Sequence, residues 1–469
     1  MNARTRPLAA LCWSALALSA STACGPTAGS PGGCSEVTCA GCCAEDGTCV
    51  AQTSATACGA AGAACVACQE GETCEAGACV AAQAQCPAPS SAAPSARSDF
   101  ALAFDPVGRQ LVVFGGDPGV AVSCMPDPKF EGETWFYDVD CGVWTRSAEP
   151  GPSARARLAG AFDTRRRRFL VFGGRYRAQS SGAYTNYNEV WALTFGANGS
   201  KAHAWDPLVT SGEPPPAMSS TVAVYDEADD QLIVFGGNAS TSGLSYAPNA
   251  NVWALSLSDN VWTELVPKGT KPPAREFHAA VIDPKRHALV VFGGGDANAF
   301  TGPFLSDTWS FSLDTHEWTK LATTGPVPRG RIRGALAVDP ERDRVLLFGG
   351  HDDGQIGERN DLWSLDFASG TWTRLREGDV FNTAGAGFCD FPSDFVTPDP
   401  DSPERREAHG LVTVPGRGIF LFGGRSDCGN LNDVWLLDPE TATWRNQKPT
   451  FSGLSCQRSG KSGCTTLCF

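Results

Sequence analysis

Between residues 97 and 446 the chain alternates short apolar runs with polar turns, and one such pattern recurs six times. Its clearest copy reads Arg275-Glu-Phe-His-Ala-Ala-Val-Ile-Asp283, a polar turn, then Ala288-Leu-Val-Val-Phe-Gly-Gly294. Runs of Val, Ile and Phe bounded by turn residues predict two strands of a hairpin. A loop of variable length follows, then a third strand around Asp307-Thr-Trp309-Ser-Phe-Ser-Leu313 and a fourth through Trp318. The Phe-Gly-Gly tripeptide that closes the second strand begins at Phe114, Phe172, Phe235, Phe292, Phe348 and Phe422. Each is followed by a tryptophan pair: Trp135/Trp144, Trp191/Trp205, Trp253/Trp262, Trp309/Trp318, Trp363/Trp372 and Trp435/Trp444. Only Trp13 of the thirteen tryptophans lies outside this frame. A turn aspartate precedes each Gly-Gly at Asp105, Asp163, Asp226, Asp283 and Asp339, where its carboxylate can bond nearby amides; the sixth unit has Thr413 there.

A period of about 50 residues carrying Gly-Gly and Trp points to propeller blades. The units resemble kelch repeats, whose marks are a double glycine closing the second strand, an aromatic on the third and a Trp on the fourth. That resemblance implies an all-β fold: a six-bladed propeller of four-stranded antiparallel meanders over residues 97–446. The tryptophans are then core, and the glycines let neighbouring sheets approach. In a meander, the loops joining strands two and three share a face with the passages between blades, so binding residues are expected on that loop-rich face.

On this face the loop of unit two carries Tyr176, Tyr184 and Tyr187 beside Arg and Ser, and Tyr246 lies in the equivalent loop of unit three. Tyr, Ser, Gly and Asn on a rigid frame suit adaptable recognition. Most first strands open on a basic residue, at Arg97, Arg155, Arg275, Arg331 and Arg405, with Arg157, Arg333 and Arg406 close behind and Met218 in unit three. These arginines are expected to ring the channel mouth. In kelch domains of ubiquitin-ligase adaptors such arginines grip acidic peptides, and Arg157 and Arg333 are the best matches. Guanidinium groups hold carboxylates through paired hydrogen bonds, which makes an acidic peptide, protein segment or acidic glycan the expected ligand. The competing reading is that each arginine bridges neighbouring blades. His278 and His409 read as packing residues, and the run Arg165 to Arg168 as a solvated turn on the opposite face.

The segment before the repeats has a different logic. Residues 1–23 have the parts of an export signal: Arg4 and Arg6, an apolar stretch from Leu8 to Ala20, then Ser21-Thr22-Ala23 before Cys24. The ending resembles a bacterial lipoprotein cleavage site, which would place a lipid on Cys24, with residues 24–33 as a tether; cleavage after Ala23 without lipid is the alternative. Residues 34–86 form a cysteine-rich module with almost nothing large and apolar to make a core, so covalent staples are expected to replace packing. Two Cys-x-x-Cys pairs leave a zinc site conceivable, but the extra cysteines, the absence of histidine and the export pattern favour disulfides. Residues 87–96 read as a Pro/Ser/Ala linker and 447–469 as a cysteine-containing tail. Cys389 and Cys428 are expected to pair, and tail cysteines to lock unit six to unit one through Cys86 or Cys124.

The formal charge of minus 14 argues against nucleic acid, whose phosphates require a basic surface. No metal or cofactor motif appears, and no Ser/His/Asp order or phosphate-cradling glycine loop. The leading expectation is therefore an exported recognition module. The alternative is a carbohydrate-active enzyme of the kelch class, resembling sugar-acid mutarotases or, less closely, copper-dependent sugar oxidases; the latter need paired Tyr and His and a further C-terminal domain, while only about 25 residues follow Trp444.

Overall fold

The computed structural model describes residues 34–81, 86, 92–447 and 456–458, apart from 36–37, 55, 69–71, 76, 120, 123–124, 127–128, 180, 197–201, 244, 299–300, 353–356, 383–395 and 427–428. The export segment with Cys24, the pair Cys389 and Cys428, Cys124, Cys464 and Cys468 all lie outside the described residues. Two compact units divide at Gln85 and Cys86.

In the N-terminal unit disulfides take the place of a core. Cys34–Cys43, Cys39–Cys49, Cys42–Cys65, Cys58–Cys74 and Cys68–Cys79 consume all ten cysteines between residues 34 and 79, so no thiolate of that segment remains for zinc. Cys42–Cys65 ties the two related halves together. Among the described residues, short hairpins such as Glu72–Glu75 with Ala78–Ala81 and a few isolated bridges accompany them. For a segment this small, losing one such bond costs about 2–5 kcal/mol.

The second unit is the expected six-bladed propeller. Six antiparallel meanders stand side by side, with innermost strands Ala101–Asp105, Ala159–Asp163, Val222–Asp226, Ala279–Asp283, Ala335–Asp339 and Gly410–Val414. Each innermost strand touches the next, and the sixth touches the first. The second Trp of every pair packs on the Phe of the preceding Phe-Gly-Gly: Trp205 on Phe114, Trp262 on Phe172, Trp318 on Phe235, Trp372 on Phe292 and Trp444 on Phe348. Trp144 on Phe422, centroids 4.8 Å apart, closes the circle.

Backbone bonds repeat the same circle. The second glycine of each pair donates its N–H to a carbonyl of the next blade, at Arg155, Met218, Arg275, Arg331, Arg406 and finally Arg97, over 2.8–3.0 Å. The glycines are required here: both take positive φ, and a Cβ on Gly115 would stand 2.7 Å from the Arg155 carbonyl oxygen. Closure therefore needs no shared strand and no tail disulfide. Cys86 pairs instead with Cys141, in the strand three to four hairpin of blade one, which corrects its expected pairing with the tail. The tail strand Cys456–Arg458 pairs within blade six, against Gly429–Leu431.

Two boundaries shift. Residues 94–96 belong to the propeller rather than to a free linker: the Pro94 carbonyl accepts from Asn432, and Ser95 binds the Arg97 guanidinium. In blade six the first hairpin is one residue shorter, so Val414 rather than Thr413 takes the turn-aspartate position.

On the hairpin face the arginine run is not a solvated turn. Arg166 clamps Asp163 and, across the blade boundary, Asp230 at 2.6 Å, while Arg167 reaches Asp105 of blade one at 2.9 Å. Arg286 repeats the first clamp with Asp283 and Asp343, and His287 stands in for Arg167 against Asp226.

Candidate functional site

The arginines expected to ring the channel mouth divide into two groups. Arg97, Arg155, Arg275 and Arg331 are buried, each 2% exposed or less, and hydrogen-bonded within their own blades. Each donates to the carbonyl of the first glycine of its blade, at Gly115, Gly173, Gly293 and Gly349. Each also binds a carboxylate two residues before the third-strand Trp: Glu133, Glu189, Asp307 and Asp361. The same carboxylate accepts from the indole N–H of that Trp, at 2.7–3.0 Å. Although burial pushes the Asp361 carboxyl up, Arg331 beside it holds it below the usual carboxylate range.

Arg406, and not Arg405, occupies this slot in blade six, bonded to Gly423 O and Asp433, because the shorter hairpin moves the register by one. Arg405 instead pairs with Asp379. In blade three Met218 fills the slot, and the position of the acid is Asn251. The chain thus changes arginine and carboxylate together. This coupling, visible in the sequence as an acid two before Trp in five units, is the signal that separates framework arginines from the rest.

Two residues further along the strands lies a second ring. Asp99, Arg157, Ser220, Phe277, Arg333 and Ala408 all adopt left-handed backbone, φ 52–57°. Such residues cost on the order of 1–3 kcal/mol each unless the surroundings hold them. Here a closed circuit does so: Arg157 N donates to Asp99 O, Ser220 to Arg157, Phe277 to Ser220, Arg333 to Phe277, Ala408 to Arg333 and Asp99 to Ala408, at 2.7–3.2 Å. These residues line a cavity of about 130 Å³ on the propeller axis.

Charge concentrates at this mouth. Asp99 lies 3.5 Å from Arg333 and 4.0 Å from Arg157, and Arg333 reaches Glu407 at 3.2 Å. The guanidinium carbons of Arg157 and Arg333 stand 4.9 and 4.5 Å from the centre of the Phe277 ring, which serves both as a platform. Arg175 stacks on Tyr184 at 3.8 Å, with Arg177 on the same ring. Burial, then the repulsion of Arg175 and Arg333, pushes Arg157 down to about 9. Burial likewise pushes Glu276 up to about 8. Arg157 Nη1 and Arg175 Nε are buried without a hydrogen-bond partner.

The predicted tyrosines separate in the same way. Tyr184 is buried beneath its two arginines and Tyr187 lies under Arg155, while Tyr176 and Tyr246 stay half-buried near the mouth, beside Phe130 and Phe277. His278 and His409 sit in the seam between blades, packed on Phe235 and Phe348, where burial holds His409 down to about 3 and His278 well below its ordinary value. Phe100 occupies the same seam in blade one, beside Gly423. Among the described residues, two further clusters bring one ligand atom each within 4.8 Å: Asp226, Asp229 and His287 on the hairpin face, and buried His351, Glu358 and Glu407. The second is already crossed by Arg425 and Arg333, both bound to Glu407, which supply positive charge where a cation would sit.

Comparison with known proteins gives matches across the propeller. The family described as the KLHDC2/KLHL20/DRC7 Kelch-repeats domain matches residues 78–242, 227–389 and 287–467. The leucine-zipper-like transcriptional regulator 1 of Pongo abelii is 27% identical over 53% of this chain and 27% of its own length. Human Kelch domain-containing protein 3 is 27% identical over 50% of this chain and 56% of its own. Rat multiple epidermal growth factor-like domains protein 8 is 29% identical over 62% of this chain and 10% of its own. The matched region thus spans between a tenth and somewhat more than half of these relatives.

Proposed function

Since the chain belongs to the kelch-repeat family, we propose that it is an exported recognition module whose propeller binds an acidic segment of a partner protein at the loop-face mouth of its channel. The observation that carries this reading is a pair of buried guanidinium N–H donors without a hydrogen-bond partner, Arg157 Nη1 beside the axial cavity and Arg175 Nε over the Tyr184 ring. A buried donor without an acceptor costs on the order of 1–3 kcal/mol, and a carboxylate brought by a ligand recovers it with charge-assisted bonds. Arg333, bound to Glu407, shares the Phe277 platform and adds its positive charge to the site. Tyr176 and Tyr246 are the aromatic edge of the site. Arg97, Arg155, Arg275, Arg331 and Arg405 act from behind it.

Export is supported by the N-terminal pattern and by six disulfides, which persist in oxidising compartments. A lipid on Cys24 would tether the protein to a membrane, with the disulfide unit as a stalk. No helix among the described residues is long and apolar enough to cross a bilayer.

Selection of a random peptide display library on the full chain tests the reading. Enrichment of Asp and Glu, weakened by salt and lost in Arg157→Gln with Arg175→Gln, is the expected outcome; salt-insensitive enrichment of neutral sequences would refute it.

A further inference from the structure

Blades four and six treat the position after the framework arginine differently. Glu276 and Glu407 stand at the same place on their first strands, one residue after the framework arginine, and each forms an isolated antiparallel bridge to the residue that follows Gly-Gly in its own blade. In blade six that residue is Arg425, whose guanidinium binds the Glu407 carboxylate, helped by Arg333 at 3.2 Å. In blade four it is Gly295, which has no side chain. Glu276 is fully buried, and neither of its carboxyl oxygens has a hydrogen-bond partner.

Arg157, Arg333 and Arg175 face Glu276 closely enough to oppose the upward push of burial on its carboxyl, yet none donates to it. His278, two residues on, is turned into the blade seam against Phe235. A buried acid with both oxygens bare is costly, and protonation removes its charge without satisfying either oxygen. Blade six shows what the position accepts when filled: a charged N–H donor held against the carboxylate.

We propose that Glu276 is a cation subsite of the loop-face mouth, taking an ammonium or guanidinium group of the bound peptide in the place that Arg425 fills in blade six. The inference rests on the recognition reading above and narrows it: the ligand carries a basic residue next to its acidic one, the acid facing Arg157 and Arg175 and the base facing Glu276.

The test uses the full chain and immobilised peptides with one Asp and one Lys at spacings of zero to four residues, each paired with an Nε-acetyl-lysine copy. At the productive spacing, lysine peptides are expected to bind at least about tenfold more tightly than the acetylated copies, the scale of a hydrogen bond to a charged group. That preference disappears in Glu276→Gln and in Gly295→Arg, where an internal guanidinium occupies the subsite. A lysine preference that survives both substitutions overturns the inference while leaving acidic recognition intact. Unliganded Gly295→Arg supplies an independent readout. It is expected to melt above the wild type and to lose the fall in stability between about pH 4.5 and pH 8; a lower melting point with that fall retained would overturn the subsite even if no peptide bound.

Discussion

Arg155 and Arg157 lie two residues apart in blade two, and Arg331 and Arg333 repeat the arrangement in blade five. The first of each pair is enclosed within its own blade, its guanidinium shared between a glycine carbonyl and a carboxylate that also holds a tryptophan indole. The second stands on strained left-handed backbone around the axial cavity, against the face of Phe277, in a cluster where positive charges crowd one another. The same side chain on the same strand is framework in one position and site in the other. What separates the two is the completeness of their partners, since a fully paired buried charge fixes geometry and an incompletely paired one keeps capacity for a ligand.

The sharpest way to break that comparison is to remove a framework arginine. Arg331→Ala strands Asp361 and the Gly349 carbonyl in the interior and is expected to cost about 3–5 kcal/mol in denaturant melts. Arg331→Met combined with Asp361→Asn copies the Met218 and Asn251 solution of blade three and should return most of that loss. If the double variant is as unstable as the sum of the singles, the slot is not a coupled unit.

Glu276 tests the other side through pH. Its folded value of about 8 lies above the ordinary 4.5, so its contribution is fully present below about pH 4.5 and is lost as pH rises through 8. Stability of the wild type is expected to fall across that window, and Glu276→Gln to flatten the profile. A parallel slope in both proteins would place the titration elsewhere.

Arg157→Gln is expected to leave the melting point nearly unchanged, because it removes a crowded charge, while weakening acidic peptides tenfold or more. The smallest effect is assigned to the hairpin face. Arg166→Ala breaks a partly exposed clamp to Asp163 and Asp230 and should cost about 1 kcal/mol or less, shrinking with salt.

Much of the fold was legible in the sequence because its marks are local and repeated. A Phe-Gly-Gly and two tryptophans serve the same contact in every blade, so six copies in phase locate strands, faces and seams. The site was legible only in part. Counting from the double glycine placed Arg405 in a slot that belongs to Arg406, since a hairpin one residue shorter shifts every position before it. Nothing in a list of arginines separates Arg155 from Arg157. The carboxylates that enclose the first group, such as Glu189 and Asp361, lie about 30 residues away and become partners only across the sheet. Glu276 was missed for the complementary reason: its significance is the lack of a side chain at Gly295, on the neighbouring strand. Cys86 was misplaced because the course of the chain between it and the first strand has no periodicity to read.

The central claim is that the second ring of arginines, and not the first, holds the ligand. Parallel display selections on the wild-type chain and on Arg157→Gln with Arg333→Gln test it most directly, with melting curves to establish that both are folded. The account predicts Asp- and Glu-rich peptides from the wild type and none from the double variant; the same acidic peptides recovered from both would contradict it.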